Sequence, residues 1–521
     1  MAEKIYSCSF TGLLCRIIEV EADISNGMPS FSIVGLGDTS VQESKERVRL
    51  GIKNSGMQFP QTRKTINLAP AQVRKQGALF DLPIALSILI ESKQIPKEKF
   101  NNSIIVGELS LTGKVNRIAG ALLITQFAKE QGFEKIFLPA DNALEASFIE
   151  GIEIIPIEDL KAIIEFSTNK KIILPYKNKD EDTEQNQCDF TFIDKIIGLE
   201  KAKRALAIGA CGRHNILLHG SPGCGKTILC RAFKHLLPSM TKEEILETTK
   251  IYSVAGMLDA DCPLVKSRPF REVHHTATTS SIIGGGCVPR PGEISLAHNG
   301  ILFFDEIAEF SPSVLDCLRQ PLEDKFINIS RINLAIKFPS NFMFLATMNP
   351  CPCGFKTDKK IRCICTDSQI SNYQKRLSGP LLDRFDIFVE VEKSNIHEVL
   401  EKEPLTSGQK TTQKSSNPLF MENAEKMQKE RFSNSAISRN GDMDIEDIKK
   451  HCDLTQDAKD ILNRAAEKLN LSNRGYLKVI KISRTIADMD LKEKIETPHI
   501  LEALQYRRTG GGKLISINKY E

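Results

Sequence analysis

The sequence has no apolar run that reaches the ~18 to 20 residues a membrane-spanning helix needs. Its opening, MAEKIYSCSFTGLLCRIIEV, holds no long apolar stretch followed by a small-residue cleavage site. Neither a secretory signal nor a lipid anchor is therefore expected, and the expected location is the cytoplasm with no membrane partner. The chain also lacks a strong charge of one sign, its formal net charge being +4 over 521 residues. That total permits a nucleic-acid partner without arguing for one, because binding depends on local patches. A disulfide framework is not expected either. Most of the 14 cysteines lie singly in apolar segments, as Cys15, Cys211, Cys230 and Cys317 do, where a reduced thiol behaves as a small buried hydrophobe. No internal repeat, helix-turn-helix or RNA-binding motif is visible.

What is present is an ordinary globular composition, 41% hydrophobic and 26% charged. The length exceeds what one core usually spans, which suggests two to four domains. Polar seams divide it. The clearest is YKNKDEDTEQNQCD, Tyr176 to Asp189, and a second runs from about Glu401 to Asp442. Before the first seam, PSFSIVGL (Pro29 to Leu36) and TINLA (Thr65 to Ala69) alternate as strands, and Val41, Val48 and Ile52 share a helical face. The resulting divisions are residues 1–168, a linker 169–189, a central domain 190–398 with a cysteine-rich insertion 350–366, a polar linker 399–442, and a helical block 443–521.

The central domain carries the chemistry. In NILLHGSPGCGKTILCRAF an apolar strand enters Gly220, Ser221, Pro222, Gly223, Cys224, Gly225, Lys226 and Thr227, and a helix follows. This is G-x-x-x-x-G-K-T in its strand–loop–helix context. Its glycines let backbone N–H groups turn toward phosphate, Lys226 supplies positive charge to the β and γ phosphates of ATP, and Thr227 offers a hydroxyl to Mg²⁺. A second apolar strand in HNGILFFDEIAEF delivers Asp305 and Glu306 to its carboxyl end. Asp305 is the expected Mg²⁺ holder, through the ion's water shell, and Glu306 the base that orients and deprotonates the attacking water. NFMFLATMNP ends a third strand at Asn349, and SGPLLDRFDI presents Arg384.

These four motifs together resemble an AAA+ ATPase, and within that superfamily the magnesium-chelatase-like branch, whose sensor-1 motif is similar to ATMNP and whose arginine-finger motif is similar to LLDRFD. The resemblance implies that Asn349 positions the lytic water and that Arg384 reaches a neighbouring subunit's γ-phosphate. A finger acting in trans implies a closed homo-oligomeric ring, a hexamer by family expectation. Alone, Arg384 would read as an ion pair with Asp383 or Asp386. FREVHHTATTSSIIGGGCVPRPGEISLAHNG, Phe270 to Gly300, resembles the long segment between Walker motifs in the YifB/ComM proteins. There Gly284, Gly285 and Gly286 read as a flexible turn and Arg290 as a candidate for the ring pore, a structural loop being the alternative. His274 and His275 read as hydrogen-bonded or solvated rather than as metal ligands. In LSNRGYLKVIKISRTIADMD, Arg474 matches the family's sensor-2 arginine on a helical lid, with Arg484 as competitor.

The resemblance extends to the N-terminal module, implying the fold of the Lon protease domain, α+β and ribosomal S5-like. The fold class is thus multidomain α/β: Lon-like domain, AAA+ P-loop domain and helical lid. Lon-type hydrolysis needs Ser and Lys in set contexts. Here those contexts read Gly77-Ala78-Leu79-Phe80-Asp81 and Ala119-Gly120-Ala121-Leu122, so a peptidase is not expected.

MNPCPCGFKTDKKIRCICTDSQ places Cys351, Cys353, Cys363 and Cys365 between Asn349 and Arg384. Two Cys-x-Cys pairs supply four thiolates for a tetrahedral Zn²⁺, reduced free cysteines being the alternative, and Lys356, Lys359, Lys360 and Arg362 suit phosphate contact. The expected activity is an ATP-driven ring motor. By family resemblance it acts on DNA as a branch-migration helicase in recombination or natural transformation, with recombination proteins as candidate partners. A protein-remodelling chaperone and a magnesium-chelatase-type ATPase are the alternatives.

Overall fold

The computed structural model describes residues 3–507 except 74, 76, 178–190, 195, 260–262, 287–288, 332–333, 359, 394–417, 434 and 436. Lys359 and part of each expected linker therefore lie outside the described residues. Among the described residues, no helix is long and apolar enough to cross a membrane.

The N-terminal part is a seven-stranded mixed sheet formed by β1 (Lys4–Thr11), β2 (Leu14–Ser25), β3 (Ser30–Val34), β4 (Arg63–Ala69), β5 (Ser103–Ile105), β6 (Lys135–Pro139) and β7 (Glu153–Ile157), in spatial order β3-β4-β2-β1-β5-β6-β7. Helix α1 (Thr39–Asn54) starts where the Asp38 carboxylate accepts the Val41 N–H, and its Val41, Val48 and Ile52 are fully buried, as their spacing predicts. Helix α2 (Asp81–Glu91) is apolar on almost every side and lies in the core. Leu79, Phe80, Ala121 and Leu122, which occupy the Lon-like contexts, are likewise buried. Asp81 pairs with Arg47 at 2.6 Å and accepts the Leu109 N–H. Burial pushes its carboxyl up, while the Arg47 guanidinium and the Ser44 hydroxyl pull it back.

Helix α3 (Ala121–Glu130) packs on the central part of the chain. There α4 (Glu200–Gly212), β8 (Ile216–His219), α5 (Lys226–Phe233), α6 (Lys242–Ala255), β9 (Phe270–Val273), β10 (Ile301–Phe304), α7 (Arg319–Asp324), β11 (Met343–Met348), α8 (Asp367–Lys375) and β12 (Ile387–Glu390) follow in sequence. Their five strands form an all-parallel sheet in the order β9-β10-β11-β8-β12. Near-continuous apolar strands such as ILFF in β10 are what a sheet covered on both faces requires. The two parts meet where the Gly120 N–H donates to the Ser253 carbonyl at 3.1 Å, the Ser253 hydroxyl bonds Glu145, and Gly12 abuts Ile336.

The C-terminal helices are α9 (Pro418–Arg431), α10 (Ile445–His451), α11 (Gln456–Leu469), α12 (Asn473–Met489) and α13 (Thr497–Gln505). Helix α9 lies inside the stretch expected to be a polar linker. Its buried stripe is narrow, Met421 and Ala424 followed by Gln428, and the buried Gln428 makes the stripe read as polar. That amide donates to the Cys211 carbonyl and accepts the Asn440 N–H, so its polarity is satisfied inside the core.

Arg47→Ala would leave Asp81 buried without its charge partner. It is expected to cost about 3 kcal/mol or more, read as an earlier urea transition of the N-terminal part by hydrogen exchange.

Candidate nucleotide site and cysteine cluster

The glycine loop that joins β8 to α5 needs left-handed backbone at Gly223 (φ 74°) and Gly225 (φ 91°), which aims N–H groups at the start of α5. Gly220 packs so closely on the Val391 carbonyl that no Cβ fits between them. Lys226 is buried, and its ammonium donates to the carbonyls of Gly220 at 2.7 Å and Ser221 at 3.0 Å and to Asn349 Oδ1 at 3.2 Å. Burial lowers its pKa below the ordinary lysine value, opposed by Cys224 and then by Asp305 and Glu306.

Because β10, β11 and β8 are neighbours in a parallel sheet, their carboxyl ends deliver the other motif residues to the same edge. Thr227 Oγ1 donates to Asp305 Oδ2 at 3.1 Å, and Asn349 Nδ2 donates to Glu306 Oε1 at 3.2 Å. Glu306 has left-handed backbone (φ 51°), uncommon for a non-glycine residue and held by its N–H bond to Thr347 Oγ1 at 2.9 Å. The Thr347 hydroxyl also bonds Asp305. Thr347 was not singled out from the sequence; its signal is a fully buried hydroxyl in the otherwise apolar strand MFLATM. The structure thus brings Lys226, Thr227, Asp305, Glu306 and Asn349 into one connected cluster.

Arg384 and Arg474 lie elsewhere, and together. Arg384 pairs with Glu323 of α7 at 2.7 Å, not with Asp383 or Asp386, and Arg474 pairs with the same carboxylate at 3.0 Å. Arg384 Nε is buried with no hydrogen-bond partner among the described residues. Arg474 keeps 60% of its side chain exposed, whereas the competitor Arg484 keeps none and is consumed by Asp488 and the carbonyls of Lys492 and Glu493. Arg484 is therefore a structural arginine.

The Arg384 segment is held from two sides. Asn215, just before β8, accepts the Phe344 N–H, donates to the Arg384 carbonyl at 3.0 Å, and gives its own N–H to Asp386 at 2.9 Å. From α12, Lys478 pairs with Asp386 at 2.8 Å and also donates to the Asp383 and Phe385 carbonyls. Burial would raise the Asp386 carboxyl, but Lys478 and His214 more than offset this and hold it well below the usual carboxylate range.

In the insertion, Sγ atoms of Cys351 and Cys353 are 3.4 Å apart, Cys351 and Cys363 3.7 Å, Cys353 and Cys363 3.5 Å, and all four thiol sulfurs lie within 4.8 Å of one another. These separations are far too long for a disulfide and close to the ~3.8 Å expected between thiolates on a tetrahedral zinc. N–H groups of Phe355 and Ile364 pull the Cys353 thiol down to about 6, while burial and the neighbouring thiols push Cys351 up to about 12. Lys356, Lys360 and Arg362 are exposed beside the cluster. In the loop before β10, His274 bonds Thr276 at 2.8 Å and contacts His275, consistent with the non-metal reading, and Arg290 is exposed. Gly284, expected in a flexible turn, is instead packed against the Arg290 carbonyl and the Gly292 N–H, which fixes that turn.

Lys478→Met takes the ammonium from a largely buried carboxylate and leaves it only the Asn215 N–H and His214. It is expected to lower stability at pH 7 by about 3 kcal/mol or more. The native Asp386 carboxyl is depressed, so its contribution is present above the unfolded value near 3.8 and lost below it. In the variant the carboxyl has lost its ammonium partner and takes up a proton more easily, so the gap to the parent protein should narrow as pH falls from 7 to 5 in paired urea titrations.

Residues 192–399 match the family model described as magnesium chelatase, subunit ChlI, residues 20–142 match that of subunit ChlI of Mg-chelatase, and residues 420–507 match its ChlI C-terminal model. The chain is 38% identical over 511 residues to competence protein ComM of Haemophilus influenzae, covering 96% of this chain and 97% of that protein. It is equally 38% identical over 503 residues to the uncharacterised protein YifB of Escherichia coli, covering 96% of each. A 144-residue stretch is 31% identical to Lon protease 2 of Bacillus subtilis, covering 25% of each chain. The mixed and parallel sheets described above are consistent with Lon-like and AAA+ domains. The chain belongs to the ComM/YifB family of magnesium-chelatase-like proteins.

Proposed function

We propose that the chain is an AAA+ ATPase that assembles into a ring, a hexamer by family expectation, and works on DNA as a branch-migration motor. The observation that carries the ATPase reading is the cluster of Lys226, Thr227, Asp305, Glu306 and Asn349 at one sheet edge. Lys226 and the N–H groups of the glycine loop would hold the phosphates. Thr227 and Asp305, two oxygen donors 3.1 Å apart, suit Mg²⁺, which when bound with ATP supplies charge neutralisation. Glu306 accepts the proton of the attacking water, and Asn349 holds Glu306 in place.

Arg384, paired with Glu323 and with a buried unpartnered Nε, serves the neighbouring subunit's site, and Arg474 stands beside it on the lid formed by the C-terminal helices. The four cysteines hold Zn²⁺, and the exposed Lys356, Lys360 and Arg362 beside them suit DNA phosphate. The DNA substrate and the setting in natural transformation or recombination rest on the likeness to a competence protein. Residues 1–168 then act as an assembly or substrate-contact module.

ATP hydrolysis measured with forked DNA, unfolded protein or porphyrin present separates the readings. DNA is expected to stimulate hydrolysis, and stimulation by protein alone would replace the motor on DNA with a chaperone. Lys226→Ala and Arg384→Ala should each lose hydrolysis by about 10³-fold. Mixing the two inactive proteins should restore part of it, because a ring then contains interfaces with an intact loop on one side and an intact finger on the other; no recovery would refute the trans arrangement. For the cysteines, elemental analysis should find one zinc per chain, lost when Cys351→Ser and Cys353→Ser are combined; metal content unchanged by the double substitution would reject the zinc site.

A further inference from the structure

The cysteine insertion touches the nucleotide site at two places. By sequence, Cys351 stands two residues after Asn349, whose side chain bonds both Lys226 and Glu306. By packing, Gly354 rests on Pro222 of the glycine loop. Gly354 has left-handed backbone (φ 81°), and a Cβ there would lie 2.5 Å from Pro222 Cγ and 2.6 Å from its Cδ. The Cys353–Gly354 turn therefore lies flush against the ring of Pro222.

The far side of the insertion is anchored as well. Asp358 accepts the N–H groups of Lys360 and Ile361 and pairs with Lys393 at 2.6 Å, and the Lys393 ammonium sits 5.6 Å from the centre of the Phe355 ring. Lys393 follows β12, where the Val391 N–H donates to the His219 carbonyl and the Val391 carbonyl closes on Gly220. The glycine loop is thus enclosed between the end of β12 and the cysteine turn, with Asp358 and Lys393 joining the two walls.

We propose that the cysteine insertion is a positioning element of the nucleotide site: with its thiols closed on zinc, the Cys353–Gly354 turn braces Pro222 and sets the loop for phosphate. Metal loading then controls nucleotide affinity. This rests on the zinc and ATP readings given above and adds the link between them. Without a central ion, the four sulfurs, which lie within 4.8 Å of one another, have no common atom to close on. The turn between Cys353 and Cys363 then keeps its anchor at Asp358 but loses the one at its thiol end, beside Gly354, that presses Gly354 onto the loop.

The full-length protein tests this through Gly354→Asn, which keeps all four thiols, tolerates a left-handed backbone and drives a Cβ into Pro222. Zinc content and the Kd of a fluorescent ADP are measured on this variant, on Pro222→Ala, and on the pair combined. The expected result is retained zinc, an affinity about tenfold weaker in both Gly354→Asn and Pro222→Ala with the KM for ATP rising more than kcat falls, and a combined loss no larger than either alone because both substitutions break the same contact. Removing zinc from the parent protein with a chelator that spares Mg²⁺ should weaken ADP binding similarly, and returning Zn²⁺ should restore it. Unchanged affinity in Gly354→Asn with zinc retained, or losses that add in the combined variant, overturns the brace. A parent protein isolated without zinc overturns the metal control, while the three-variant cycle still decides the contact. A failure of the ATP reading would show instead as no ADP binding by the parent protein.

Discussion

The central domain depends on one largely buried carboxylate. Asp386 receives the Asn215 N–H and the Lys478 ammonium, and through them joins the base of β8, the Arg384 segment and helix α12. Arg507, after α13, adds bonds to the Phe385 and Asp386 carbonyls. A charge in such a place is tolerable only with its partners in position, so three sequence-distant pieces must assemble together or not at all. Because β8 leads straight into the glycine loop, the same assembly fixes where that loop starts.

Lys226 is the complementary case, a buried cation at the other end of β8. Its bonds go to two loop carbonyls and to Asn349, neutral groups that hold the ammonium without cancelling its charge. Asp305 and Glu306 are near enough to matter electrostatically but are engaged by Thr227, Thr347 and Asn349. A cation kept short of a full counter-charge in a partly buried setting is prepared to take one, and phosphate is the anion that a glycine loop at a helix start admits.

Much of this site was legible in the sequence because its parts are local. A strand, a glycine turn and a helix lie within about twenty residues around Lys226, and the Asp305–Glu306 pair and Asn349 each end an apolar strand whose burial is written in its own composition. The buried face of α1, with Val41, Val48 and Ile52, was readable for the same reason. Glu323 was not readable, since nothing in RQPLED shows that its carboxylate joins Arg384 to Arg474 across 61 and 151 positions of chain. Asn215 looked like an ordinary strand start, and its three bonds appear only once β11 and the Arg384 segment fold beside it. Helix α9 was hidden because Gln428 occupies a core-facing position where periodicity looks for an apolar residue. The contact of Gly354 with Pro222 has no sequence signature, as it joins a cysteine turn to a loop more than 130 residues earlier.

These non-local contacts also give the C-terminal helices a mechanical role. Helix α12 carries Arg474 near its start, Lys478 one turn later, and the buried Arg484 beyond, which bonds Asp488 of the same helix and the carbonyls just after it, while Arg431 of α9 pairs with Asp488 and ties the two helices together. The helix is therefore rigid at its core end and grips the Arg384 segment at its other end. A displacement of the helical bundle cannot leave Arg384 behind, because Lys478 holds the carbonyls on either side of it. Under the proposed ring arrangement, movement of one subunit's bundle is movement of the arginine offered to its neighbour. Within the single chain that arginine is held by Glu323, which also pairs with Arg474.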